Sequence, residues 1–418
     1  MNFFEYRDGQ LWAEDVKVKD IADAVGTPLY VYSYETIKRH ITVFTEAFKD
    51  FPHIICYALK ANPNGAILRV LSKEGSGADI VSSGELFRAL QAGIPPKKIV
   101  YAGVGKRDDE ITYGIEKGIL MFNVESSEEL HRINLIANTM GVKAPVALRV
   151  NPDINPETHP YITTGLKKYK FGIPIEEATS LYRISKSFSN IEIVGIHKHI
   201  GSQITKVSPF VEAMEKIIAL YDGFIEEGIP IRYIDMGGGL GITYSDEAPP
   251  NPAGLAKAIL PLMKNRNITL ILEPGRSIVG NAGIFVTKVL YRKEAPEKTF
   301  IIVDGGMNDL IRPSLYSAYH HIQPVKQSSR KKVTADIVGP ICESGDFFAK
   351  GRQIDAMEQG ELLAIMSAGA YGFSMSSNYN SRPRVAEVMV RGDEFSIITE
   401  KETFHDLVRL ERIPEFLN

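Results

Sequence analysis

Cysteine is almost absent from this chain: Cys56 and Cys342 are the two in 418 residues, too few for a disulfide framework and without a metal-ligand spacing. Each is left as a core thiol or a reactive one. Charge of one sign is also lacking. A formal net charge of −3 offers no electrostatic footprint for nucleic acid or an anionic membrane, and the short run Arg330-Lys331-Lys332 reads as a solvated turn. No apolar run is long enough to span a bilayer. The start, Met1-Asn-Phe-Phe-Glu-Tyr-Arg-Asp8, carries acidic residues within its apolar stretch, so neither a signal peptide nor a membrane span is expected and a cytoplasmic location is. Low-complexity segments and short-period repeats are missing too.

What is present is an ordinary globular composition, 44% hydrophobic and 24% charged, in a chain too long for one core. Two domains are the default. Residues 1 to about 28 read as a hairpin, with its turn at Arg7-Asp8-Gly9-Gln10, followed by a short helix from Val18 to Val25. From there a short apolar strand, a polar or glycine-bearing turn and an amphipathic helix recur. The strands expected are Ile54–Leu59, Ala78–Val81, Ile99–Ala102, Met121–Val124, Val146–Val150, Val194–His197, Tyr233–Met236 and Thr269–Glu273. Between them fall helical patterns such as Tyr34–Phe48, Asp108–Lys117 and Pro209–Glu227.

Eight strand–helix units predict a (β/α)₈ barrel over 29–274. The rival is a doubly wound sheet that binds a dinucleotide. Its glycine fingerprint should open the first unit, where the chain instead has Lys60-Ala-Asn-Pro-Asn64. After about residue 275 the pattern turns to short strands broken by Gly, Asn and Pro, which predicts a mostly β, Greek-key or sandwich-like domain over 275–418, completed by residues 1–28.

In a barrel, chemistry collects where strands end on the carboxyl face. The residues at those ends are Lys60, Asp79, Arg149, His199, Gly237-Gly238-Gly239, and Glu273 with Gly275 and Arg276. A lysine after Ala58 and Leu59 would start partly desolvated, which favours the free amine that forms a Schiff base with a carbonyl compound. The glycine turn bares backbone N–H groups to an anion, and Arg276 suits a bidentate grip on phosphate or carboxylate. Two neighbouring anion-binding loops favour a phosphorylated ligand. The alternation places His197 and His199 on one face, so one of them can be structural.

Seven motifs occur in order: Tyr57-Ala-Leu-Lys-Ala-Asn62, Gly77-Ala-Asp-Ile-Val-Ser-Ser-Gly-Glu-Leu86, His199-Ile-Gly-Ser-Gln203, Gly237-Gly-Gly239, Glu273-Pro-Gly-Arg276, Cys342-Glu-Ser344 and Gly369-Ala-Tyr-Gly372. Together they resemble the fold-type III pyridoxal-phosphate decarboxylases across nearly the whole chain. The resemblance implies that Lys60 holds pyridoxal 5'-phosphate covalently, with Asp79 also in its site, and that His199 lies against the ring. Ser202, Gly237–Gly239, Gly275 and Arg276 would surround the phosphate, with Tyr371 closing it. Glu273 would pair with the pyridine nitrogen, where the related racemases are expected to have an arginine. A carboxylate there keeps the nitrogen protonated and the ring a full electron sink, which favours decarboxylation.

The resemblance also speaks to substrate. Arg312 and Tyr316 match positions for a distal carboxylate, which Arg276 could also reach, and Glu343 matches the position for a distal ammonium. Tyr371 completes the substrate-contacting set. These imply meso-2,6-diaminopimelate, converted to L-lysine and CO₂, with Cys342 as the acid that protonates the former α-carbon. A homodimer with shared active sites is implied, because Cys342 and Glu343 lie in the β domain and Lys60 and His199 on the barrel. Decarboxylation of a related basic or carboxylated polyamine precursor is the alternative activity. A non-catalytic relative would be expected to lack Lys60 or Cys342, and both are present. No metal is expected.

Overall fold

The computed structural model describes residues 2–155 and 170–417. The chain divides into two compact units: Ile37–Ile278, and Met1–Thr36 together with Val279–Asn418.

The first unit is a closed parallel barrel. Its strands are β1 (His53–Ala58), β2 (Gly77–Ile80), β3 (Ile99–Tyr101), β4 (Met121–Val124), β5 (Ala144–Asn151), β6 (Ile191–His197), β7 (Tyr233–Asp235) and β8 (Thr269–Leu272). Each pairs in parallel with the next, and β8 returns to β1. A short strand, Ile173–Pro174, adds to β5. The strands are short and apolar because both faces are covered, one by the packed barrel interior and the other by helices.

Local signals set the helix starts. Ser82 accepts a hydrogen bond from the Glu85 N–H at 3.2 Å while Glu85 Oε2 accepts from the Val81 N–H at 2.7 Å. Ser126 and Glu129 repeat the arrangement, with Glu129 Oε2 accepting from the Glu125 N–H at 2.9 Å. These Ser-x-x-Glu boxes satisfy N–H groups that the first turn leaves open, and so aim β2 and β4 to end just before a helix.

The second unit is built on one branched nine-stranded sheet. Its main path runs Phe347–Asp355, Lys332–Val338, Thr299–Val303, Gly283–Glu294, Leu29–Ser33, Ala386–Arg391, Glu394–Thr399. The N-terminal hairpin, Phe4–Arg7 with Gln10–Ala13, forms its own three-stranded sheet with Val16–Lys17. The helix Val18–Val25 buries Val18, Ile21 and Ala22 in a cluster with Leu11, Ile284, Val286, Val388 and Val390.

Two boundaries move relative to the sequence reading. Residues 29–36 fall outside the barrel: Leu29–Ser33 is wholly buried, antiparallel to Gly283–Val286 and parallel to Ala386–Val390. At the other end, the short helix Arg276–Val279 carries the barrel unit to Ile278. The strand Phe347–Asp355 has no counterpart in the sequence reading, because it lies at the sheet edge, where exposed Lys350 and Gly351 and a bulge in its pairing break the alternation. Among the described residues, no helix is long and apolar enough to cross a membrane.

Candidate active site

The carboxyl ends of the barrel strands assemble one polar cluster. Lys60 sits in the single turn Leu59–Ala61 directly after β1, and its Nζ donates to Asp79 Oδ2 of β2 at 2.8 Å. The lysine side chain is 38% exposed, so a carboxylate holds the amine in place of the apolar wall that the sequence suggested. Burial pushes the Asp79 carboxyl up to about 7, helped by the Glu273 charge and opposed by Lys60.

Glu273 follows β8 and is buried, with Oε2 at 3.6 Å from His197 Nε2 at the end of β6. Burial raises its pKa, but the positive influence of His197, Lys60 and His199 prevails and holds the carboxyl well below its ordinary range. Its Oε1 is buried and receives no hydrogen bond from any amide, imidazole or alcohol of the described residues. That open acceptor fits the protonated nitrogen of a pyridine ring.

Burial, with Arg149 and Lys60 nearby, lowers the His199 pKa well below its usual value. Its Nδ1 accepts from the Gly238 N–H at 3.1 Å, which leaves the proton of the neutral ring on Nε2. The glycine loop is needed for packing as well as for an anion. A Cβ on Gly238 would stand 2.1 Å from the Glu273 carbonyl oxygen, and Gly239 has a φ of +113°. Arg276 draws two loops together, donating to Ser202 Oγ at 3.3 Å and to the Tyr244 hydroxyl at 2.6 Å. A Cβ on Gly275 would press on Ala58 and Ala61, so that glycine lets the arginine loop lie close to the lysine turn.

The remaining expected residues belong to the β unit. Arg312 and Tyr316 are one helical turn apart on Arg312–Tyr316, and Arg312 Nη1 donates to His320 Nε2 at 2.9 Å. His320 Nδ1 in turn donates to the Met366 carbonyl at 2.8 Å, so the tautomer is set and the guanidinium is aimed. Cys342 and Glu343 are exposed on a loop whose backbone is pinned by Asp346, which accepts from the Ile341 N–H at 2.6 Å and the Met307 N–H at 2.7 Å. Ser314 Oγ donates to the Gly345 carbonyl at 2.5 Å and ties that loop to the Arg312 helix. Tyr371 has a φ of +55°, a strained conformation for an aromatic residue. Cys56, by contrast, is a buried thiol whose pKa burial raises far up, an inert core residue.

Sequence reasoning missed several partners. His320 and Tyr244 lie in no motif, and Asp235 falls inside the expected strand Tyr233–Met236 with no role assigned to it. Its carboxyl, that of Glu273 and the His197 imidazole bring their polar atoms within 4.8 Å of one another.

Residues 34–280, nearly the barrel unit, match the family model for the pyridoxal-dependent decarboxylase, pyridoxal binding domain. The chain is 54% identical over 407 residues to the diaminopimelate decarboxylase of Aquifex aeolicus, covering 97% of this chain and 96% of that one. It belongs to the diaminopimelate decarboxylase family. The crystal structure of the family member from M. jannaschi superposes with a TM-score of 0.95 at 42% identity, covering 100% of this chain and 99% of that one. That of the Helicobacter pylori diaminopimelate decarboxylase, complexed with L-lysine, does so at 0.92 and 44%, covering 94% and 98%.

Proposed function

We propose that this chain decarboxylates meso-2,6-diaminopimelate at its D centre, giving L-lysine and CO₂ as the last step of lysine biosynthesis, with pyridoxal 5'-phosphate as cofactor. The observation that carries the reading is Glu273, a buried carboxylate with an open oxygen at the end of β8. When bound, the cofactor supplies an electron sink for the pair released with CO₂. Glu273 would keep a proton on the ring nitrogen, and Lys60 would hold the cofactor through its side-chain amine, with Asp79 orienting that amine. His199, neutral and fixed by Gly238, would lie against the ring without adding charge. Arg276, Ser202, Gly275 and the N–H groups of Gly237–Gly239 bind the phosphate, and Tyr371 closes it.

The β unit supplies what distinguishes the substrate. Arg312, aimed by His320, binds the distal carboxylate with Tyr316, with Arg276 and Tyr371 as further contacts, while Glu343 binds the distal ammonium. Cys342 Sγ delivers a proton to the former α-carbon. The exposure of Cys342 and Glu343 supports a homodimer in which each β unit completes the barrel site of the other chain, and the location proposed for it is the cytoplasm. The test is to load the purified protein with pyridoxal phosphate and offer meso-diaminopimelate, ornithine and arginine separately. CO₂ and lysine from the first alone are expected, and release from ornithine but not diaminopimelate would overturn the reading.

A further inference from the structure

We propose that Asp235 is a positioning residue that carries a proton and donates it to the Glu273 carboxylate, so that the buried pair presents a single negative charge to the cofactor's ring nitrogen. The identity of that nitrogen rests on the function proposed above; the shared proton rests on the buried pair and its neighbours and does not need that function. Asp235 ends β7 in register with His197 of β6 and Ile271 of β8. Glu273 lies two residues beyond Ile271, and strand periodicity returns it to the same face. Asp235 is fully buried and Glu273 nearly so, with their carboxyls and the His197 ring within one cluster. Among the described residues, neither carboxyl has a lysine or arginine ion-pair partner. Two buried carboxylates at such range cannot both ionise without one.

The surroundings decide which of them keeps the proton. Glu273 feels His197, Lys60 and His199, all favouring its charge. Asp235 accepts from the Gly237 N–H on Oδ1 at 3.0 Å and from Asn123 Nδ2 on Oδ2 at 3.1 Å. Both neighbours are donors, which by themselves favour the charged form, and they orient the carboxyl so that Glu273 is left as the acceptor for its proton. Burial and the Glu273 charge drive the Asp235 pKa far up. The other groups with a charge or proton nearby include the buried Cys56 thiol, Lys198, whose amine is buried with no hydrogen-bond partner, and Asp79, already joined to Lys60. Asn123, on β4 across the barrel, is thus a second support for the same carboxyl. One carboxylate charge matches one protonated ring nitrogen, whereas two would leave the site with uncompensated charge.

The test compares wild type, Asp235→Asn and Asp235→Ala. Infrared spectra of the cofactor-free proteins should show a carboxylic-acid stretch, shifted in D₂O, in the wild-type minus Asp235→Asn difference. Binding of pyridoxal phosphate, followed by absorbance, should stay within about threefold of wild type in Asp235→Asn, whose amide still donates, and weaken about tenfold or more in Asp235→Ala. Absence of the acid band from the difference spectrum, or an asparagine variant as weak as the alanine one, would overturn the proposal. Should the alanine variant fail to fold, the infrared comparison with the nearly isosteric asparagine still decides. A wild-type acid band in a protein that releases no CO₂ from diaminopimelate would sink the proposed function and leave the shared proton standing.

Discussion

Replacing Lys198 by methionine should stabilise the protein, and by an amount that depends on pH. The side chain is fully buried, its Nζ has no hydrogen-bond partner, and it lies over the Phe210 ring, 5.5 Å from the centroid. Burial drives its pKa from the ordinary 10.5 to about 7, against the pull of Asp235 and Glu273. Between those two values the unfolded chain holds a proton that the folded chain does not. Stability from this group therefore rises with pH through that window, and the penalty is complete below about pH 7. Converted at 1.36 kcal/mol per decade, the gap is an upper limit of roughly 4–5 kcal/mol at or below neutrality, and relaxation should leave a gain of about 1–3 kcal/mol. Methionine has similar length and can hold the contact with Phe210 through its sulfur. Urea unfolding of both proteins at fixed concentration, from about pH 6 to about pH 10, measures the effect. The gain should shrink toward the alkaline end. A variant less stable at every pH, or a gain that does not change with pH, would refute the reasoning.

Three further outcomes are expected. Lys60→Ala should abolish the visible absorbance of the bound cofactor and nearly all turnover; retention of both would show that another lysine holds it. Arg312→Ala should lose about 1.5–3 kcal/mol of preference for diaminopimelate over an analogue without the distal carboxylate, and unchanged relative kcat/KM would remove Arg312 from the site. Lys60→Ala and Cys342→Ala proteins should each be nearly inactive, yet a reassorted mixture, about half of it mixed dimers, should recover roughly a quarter of wild-type activity. Activity that stays at the single-variant level after verified subunit exchange would mean that each chain builds its site alone.

The sequence by itself determined the barrel and most of its strand ends. Hydrophobic periodicity and capping residues act over a few positions, so Tyr34–Phe48, Asp108–Lys117 and Met121–Val124 occur with the bounds their patterns predict. Lys60, His199, Glu273 and Arg276 were legible because the strand-to-turn pattern marks a strand end and the residue type marks a chemistry. Residues 29–33 fell inside the 29–274 barrel range without being read as a strand; only the pairing of Leu29–Ser33 with Gly283–Glu294 and Ala386–Arg391 placed it in the other sheet. Tertiary structure alone also decided the partners: Tyr244 on Arg276, His320 on Arg312, and the meeting of Asn123, Asp235, His197 and Glu273. Those four come from strand ends separated by as many as 150 positions in the chain. Barrel closure brings them together, and the neighbours it gathers push the two buried carboxyls in opposite directions, Glu273 down and Asp235 up, a property that no local pattern encodes.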